Sequence, residues 1–134
     1  MSDCLLVSYQ LGKVFMQNEF GLTSDEACTE SQALDFITQA ISKHQLYRFV
    51  LLDLDDPTIY IGRFISTLEK LIEAECNDDI TIDVYGCSEN NSEPMLKKCA
   101  QNNVAFLHKP LTRENCFIFA ERYPPTEDSK NMVE

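Results

Sequence analysis

Two short apolar segments of this chain lead directly to charged side chains that could do chemistry. Residues 49 to 53 read Phe-Val-Leu-Leu-Asp, and residues 104 to 110 read Val-Ala-Phe-Leu-His-Lys-Pro. An apolar run of this length, bounded by polar residues, indicates a strand buried on both faces. The carboxylate of Asp53 could act as a nucleophile or an anionic ligand. The ammonium group of Lys109 could neutralise that carboxylate or a phosphoryl group placed on it.

These two groups are expected at one edge of a sheet. In parallel sheets the carboxyl ends of the strands meet at a common edge, where ligands bind. Pro110 would fix the turn after Lys109, and the peptide bond before it is a candidate for the cis form. The alternative for Asp53 is an acidic turn that leaves a core strand and has no chemical role.

The rest of the chain alternates between helical and extended patterns. Such alternation predicts an α/β fold, with a parallel sheet between helical layers. Helices are predicted over residues 31–43, 59–75 and 114–123 from the spacing of apolar residues, and a short polar helix is predicted over residues 93–102. Residues 80–86 alternate as a strand ending at Gly86. The length suits one domain over residues 1–123. We expect residues 124–134, which begin with Pro-Pro and are polar, to be a disordered tail.

The first twenty residues admit two interpretations. Residues 4 to 9, Cys-Leu-Leu-Val-Ser-Tyr, could form a first strand, without which a central position in the sheet would be empty. The apolar residues from Cys4 to Phe15 also fit one face of a helix. Spacing favours this second interpretation, in which the first strand is missing, and we expect the helix.

Charge and cysteine content narrow the classes of partner. The chain has 22 acidic and 11 basic residues, a net charge of −11, which argues against direct binding to nucleic acid or anionic membranes. No apolar run reaches the length of a membrane span. The six cysteines form no Cys-x-x-Cys pair and are not at metal-ligand spacing from the histidines. We interpret them as reduced thiols and expect a cytoplasmic protein.

At this point the chain resembles the receiver domain of two-component response regulators. The resemblance lies in Asp53-x-x-x-Pro57 after a buried strand and in residues 106–110, Phe-Leu-His-Lys-Pro. Further matches are Lys98-Cys99 before the last strand and residues 24–34, which resemble the family's second strand and the start of its second helix. The resemblance covers roughly residues 20–120.

The resemblance implies a flavodoxin-like fold and a role in a phosphorelay. Asp53 would accept a phosphoryl group from a histidine kinase or a histidine phosphotransfer protein, with Lys109 and a bound Mg²⁺ neutralising charge. Phe106 stands where receivers carry an aromatic residue that changes rotamer on activation; the alternative is a half-buried strand residue. A homodimer is compatible with this family, and no enzymatic activity is implied.

The chain departs from the receiver pattern around the metal and the phosphoryl group. The acidic pair after the first strand has no match, because those positions hold Ser8 and Tyr9, or precede Met1 if the first strand is missing. The hydroxyl residue after the fourth strand aligns with Gly86, and Ser88 follows two positions later. Asp55 and Asp56 could supply weak metal ligands beside Asp53, but we favour solvated turn acids.

These departures leave three hypotheses about function. The first is a receiver-like domain, either phosphorylated on Asp53 or acting as a pseudo-receiver that only binds partners. The second is a haloacid-dehalogenase-like phosphatase fragment, with Asp53 as nucleophile and Asp55 as acid or base, although that motif expects Thr where this chain has Pro57. The third is a truncated or non-functional copy of a receiver.

Overall fold

The computed structural model describes residues 2–8, 12–75 and 81–124. Strands and helices alternate along the chain, as the sequence pattern predicts. In chain order the elements are β1 Cys4–Val7, α1 Gly12–Phe20, β2 Ser24–Ala27, α2 Glu30–Ser42, β3 Phe49–Asp53, α3 Ile61–Glu75, β4 Asp83–Ser88, α4 Glu93–Gln101, β5 Ala105–His108 and α5 Phe117–Arg122. Ile80 and the predicted tail from residue 125 onward lie outside the described residues.

The five strands form one parallel sheet in the order β2-β1-β3-β4-β5. This is the flavodoxin-like α/β fold that the sequence predicts. The expected helix over the first residues is wrong, because Cys4–Val7 is a strand between β2 and β3. All four of its side chains are fully buried. A strand buried on both faces carries no polar alternation, so its short apolar run also matched a helical spacing by chance.

The core lies on both faces of the sheet because successive strand residues point to opposite sides. In β3, Val50 and Leu52 face a core that α2, α3 and α4 cover, whereas Phe49 and Leu51 face a core that α1 and α5 cover. Phe49 stacks on Phe119 of α5, with ring centroids 4.5 Å apart. This packing fixes β3 from both sides and therefore fixes where its last residue, Asp53, emerges.

Strand register brings the carboxyl ends of β3, β4 and β5 together. Asp53 pairs with Cys87, and Ser88 pairs with His108. The ladder continues past the strands, because the Lys109 N–H donates to the Ser88 carbonyl at 2.9 Å. The last residues of three neighbouring strands are thus held side by side by backbone hydrogen bonds.

No helix in the described part of the chain has the length and apolar character of a membrane span.

Candidate functional site at the carboxyl edge of the sheet

Asp53 and Lys109 meet at the carboxyl edge. The Lys109 ammonium group lies 2.7 Å from Asp53 Oδ1, and both side chains are mostly buried, with 16% and 15% exposed. The same carboxylate oxygen accepts the Asp55 backbone N–H at 3.1 Å. The structure therefore unites the two residues that the sequence placed at the ends of separate strands.

Asp55 is part of the same network, although we expected a solvated turn acid. Its Oδ2 lies 3.0 Å from Lys109 Nζ and accepts the Glu89 N–H at 3.0 Å. Its Oδ1 accepts the Ser88 hydroxyl at 2.5 Å. Partial burial would raise the pKa of Asp55, but these donors outweigh burial and hold the pKa below its usual value. Asp55 is therefore a carboxylate at neutral pH.

Lys109 neutralises two carboxylates at once. Burial of its ammonium group would lower the pKa of Lys109, but hydrogen bonds to Asp53 and Asp55 more than compensate and raise it. The lysine is therefore a permanent cation at this edge. The Lys109–Pro110 peptide bond is cis. Asn115 donates to the carbonyls of His108 and Pro110, at 3.2 and 2.9 Å, and so ties the turn to the chain that follows it.

Ser88, rather than Gly86, brings a hydroxyl to this network, since it donates to Asp55. Strand β4 runs to Ser88, so Gly86 lies inside the strand rather than at its end. A side chain at Gly86 would collide with Leu54, since an added Cβ would sit 2.6 Å from Leu54 Cδ1. Packing against Leu54 thus explains the glycine at position 86. The last residue of the strand is Ser88, which is fully buried.

Asp56 belongs to a separate network. Its carboxylate accepts hydrogen bonds from the Ser8 hydroxyl and from the backbone N–H and hydroxyl of Thr58, the latter two at 2.8 and 2.7 Å. These bonds, led by the one from Ser8, lower the pKa of Asp56. Ser8 directly follows β1 and has a positive φ of 70°. It occupies a position where receivers carry an acid, whereas Tyr9 lies outside the described residues.

The described residues do not fit a magnesium site of the receiver type. Within the described ranges no group of three or more His, Cys, Asp or Glu side chains is arranged to hold a metal ion. Asp53 and Asp55 both face Lys109, and Asp56 is held by Ser8 and Thr58. Mg²⁺ requires octahedral oxygen ligands, and here a cation of the protein already faces two of the three acids.

Phe106 lies in β5, three residues before Lys109. It is half-buried in β5, packs against the core that α2, α3 and α4 cover, and lies 6.5 Å from the His108 ring, centroid to centroid. His108 itself contacts the Glu89 carbonyl at 3.1 Å. The role of Phe106 as a switch residue remains a prediction.

Sequence reasoning missed two participants, the Glu89 backbone N–H and the Ser8 hydroxyl. Almost every residue type has a backbone N–H, so the sequence does not indicate which one donates to the site. The strand register shows that it is the N–H of Glu89. Ser8 follows the first strand in one of the two interpretations of the sequence, but residue types alone do not predict that its hydroxyl donates to Asp56.

Comparison with known proteins supports the fold alone. No protein-family model matches the sequence, and no curated protein matches it. Among solved structures, the chain is similar to a response regulator in red light signaling of R. palustris. The sequence identity is 16%, the TM-score is 0.64, and the match covers 92% of this chain and 96% of that one. The chain therefore shares a receiver-like fold with that response regulator.

Proposed function

We propose that this chain is a receiver-like signalling domain of the phosphorelay type. Asp53 is the candidate phosphoacceptor, and a histidine kinase or histidine phosphotransfer protein is the candidate donor. The observation that carries the proposal is the 2.7 Å contact between Asp53 and Lys109 at the carboxyl edge of β3 and β5. The receiver fold supports it at the level of architecture.

The proposed chemistry is attack by the Asp53 carboxylate on the phosphorus of a phosphohistidine. The new bond is an acyl phosphate O–P bond, and the P–N bond to the imidazole breaks, with the imidazole as leaving group. The protein's part is to position the carboxylate and neutralise the incoming charge. Lys109 supplies the positive charge, and the Ser88 hydroxyl and the Glu89 N–H donate to Asp55, which contacts the same lysine.

The departures from the receiver pattern favour the pseudo-receiver form of this proposal. Ser8 stands where an acid is expected, and its hydroxyl is bonded to Asp56. Without the acids that would hold Mg²⁺, phosphoryl transfer should be slow. We therefore propose that the domain acts mainly by binding a partner. The candidate surface runs from Lys98 to Arg122, where Phe117 is 55% exposed.

The phosphatase alternative is not favoured. It requires Asp55 to carry a proton and give it to a leaving group. The pKa of Asp55 is instead lowered, because the Ser88 hydroxyl, the Glu89 N–H and Lys109 outweigh its partial burial. A carboxylate held in this way is a poor general acid at neutral pH.

We propose that the domain is cytoplasmic. All five cysteines that the structure describes are free thiols, and four of them are buried. Burial raises the pKa of Cys4, Cys87 and Cys116 to about 12 each, which disfavours the reactive thiolate. Such thiols fit a reducing compartment and a role in packing.

The test is an acid-labile phosphate assay after incubation with acetyl phosphate, or with a phosphorylated histidine phosphotransfer protein, in the presence of Mg²⁺. We expect slow labelling of the natural protein, no labelling of Asp53→Asn, and unchanged labelling of the matched variant Asp56→Asn. Label that persists in Asp53→Asn would place the phosphoacceptor elsewhere. Rapid labelling would restore an ordinary receiver and reject the pseudo-receiver form.

A further inference from the structure

Three hydrogen-bond donors from two strand ends converge on a single side chain. The Ser88 hydroxyl, the Glu89 N–H and the Lys109 ammonium group all contact the Asp55 carboxylate, at 2.5, 3.0 and 3.0 Å. A hydroxyl, a backbone N–H and an ammonium group together form a site suited to an oxyanion. Asp55 fills that site with an anion of the protein's own.

The site is built from fixed parts. Ser88 is fully buried at the end of β4, and its oxygen accepts the Asn90 N–H at 2.9 Å, which orients its hydroxyl proton toward Asp55. The backbone bond from Lys109 N–H to the Ser88 carbonyl holds the two strand ends in register. Asp55, by contrast, lies on the loop after β3, and its side chain is 35% exposed. The donors are therefore rigid, and the carboxylate that fills them can be reached from solvent.

The contact with all three donors is specific to Asp55 and does not follow from the acidic character of the loop. Asp56, the next residue, directs its carboxylate to Ser8 and Thr58 instead. Asp53 shares Lys109 with Asp55, and its carboxylate also accepts the Asp55 N–H. Asp55 is thus the acid that unites Ser88, Glu89 and Lys109.

We propose that Asp55 is a built-in occupant of an anion site, taking the donors that would otherwise hold phosphoryl oxygens. The arrangement that an added anion would induce is then present without modification of Asp53. An external anion must displace Asp55, which is tethered two residues from Asp53 and so competes at a high effective concentration. That the external anion is a phosphoryl group rests on the proposed function, whereas the anion site itself does not.

The test is titration with inorganic phosphate, monitored by the amide NMR signals of Ser88, Glu89 and Asn90, with chloride at equal ionic strength as the reference. Asp55→Ala removes the occupant, and Asp55→Asn keeps its size without its charge. Asp56→Ala is the matched control. We expect Asp55→Ala to bind phosphate at least about tenfold more tightly than the natural protein and Asp56→Ala, with Asp55→Asn between them.

Two results would overturn the inference. One is equal phosphate affinity in the natural protein and Asp55→Ala, which would mean that Asp55 blocks nothing. The other is a folded Asp55→Ala, judged by a cooperative thermal melt, whose three amide signals do not respond to phosphate. Adding Ser88→Ala to Asp55→Ala should weaken any phosphate binding. Because no phosphoryl transfer or partner is involved, these outcomes are independent of the labelling assay for Asp53.

Discussion

Lys109 Nζ lies 2.7 Å from Asp53 Oδ1, although 56 residues separate them in the chain, and 3.0 Å from Asp55 Oδ2. One ammonium group therefore holds two carboxylates that would otherwise repel each other across the end of β3. In this site a side chain of the protein supplies positive charge to both carboxylates.

We expect Lys109→Met to destabilise the fold by about 2 kcal/mol, because it leaves the mostly buried Asp53 carboxylate facing the partly exposed Asp55 carboxylate without a cation. Methionine keeps most of the length of the lysine stem, so lost packing contributes little. Urea unfolding at neutral pH measures the change. Arg113→Ala is the control: its ion pair with Glu19 is exposed and 3.6 Å long, and its loss should cost less than about 1 kcal/mol.

Adding Asp53→Asn to Lys109→Met should recover part of the lost stability by removing one of the uncompensated charges. If the double variant were less stable than Lys109→Met by the full cost of Asp53→Asn alone, the two side chains would be energetically independent, contrary to the 2.7 Å contact.

Stability should also depend on pH through Asp55. Its pKa is lowered in the folded state, so its contribution is present above the unfolded value of about 4 and is lost as pH falls through the folded value. The natural protein should therefore exceed Asp55→Asn in free energy of unfolding at neutral pH, and the gap should narrow on acidification. Urea unfolding at a series of pH values tests this. When both proteins also carry Ser88→Ala, which removes one donor to Asp55, the difference in free energy of unfolding should change over a smaller range of pH. A gap that widened on acidification would contradict the prediction.

The sequence predicted the sheet edge better than it predicted the contacts there. Asp53 and Lys109 could be assigned to the ends of strands because each follows an apolar run, and a continuous apolar run is typical of a buried parallel strand. Strand β1 was missed because four buried residues are too few to separate a strand from a helix by periodicity. Its central place in the sheet comes from pairing with β2 and β3, which are distant in the chain.

The roles of Ser88 and Asp55 depended on register and loop geometry. An offset of two residues in β4 separates Gly86, which packs under Leu54, from Ser88, which ends the strand. A two-residue shift keeps the side chain on the same face, so alternation alone cannot detect it. Likewise, nothing in the residue types tells that Asp55 turns toward Lys109 while Asp56 turns toward Ser8.

Mg²⁺ should bind weakly, because Ser8 stands where receivers carry an acid and Lys109 already faces Asp53 and Asp55. Titration calorimetry should give no tight, one-to-one binding. Ser8→Asp restores an acid at a position whose positive φ aspartate tolerates, and it should strengthen binding. Tight binding by the natural protein that Asp53→Ala abolished would show that the described acids do form a metal site.

The last prediction concerns coupling between Asp53 and the surface from Lys98 to Arg122. If Asp55 already engages Ser88, Glu89 and Lys109, an anion added at Asp53 changes these contacts little. A partner that binds this surface should then have similar affinity for the untreated protein and for the protein treated with beryllofluoride, whereas Asp55→Ala should respond to the treatment. Isothermal titration of the partner into all four samples measures this. A tenfold difference in the natural protein, about 1.4 kcal/mol, would establish a phosphorylation switch that Asp55 does not suppress.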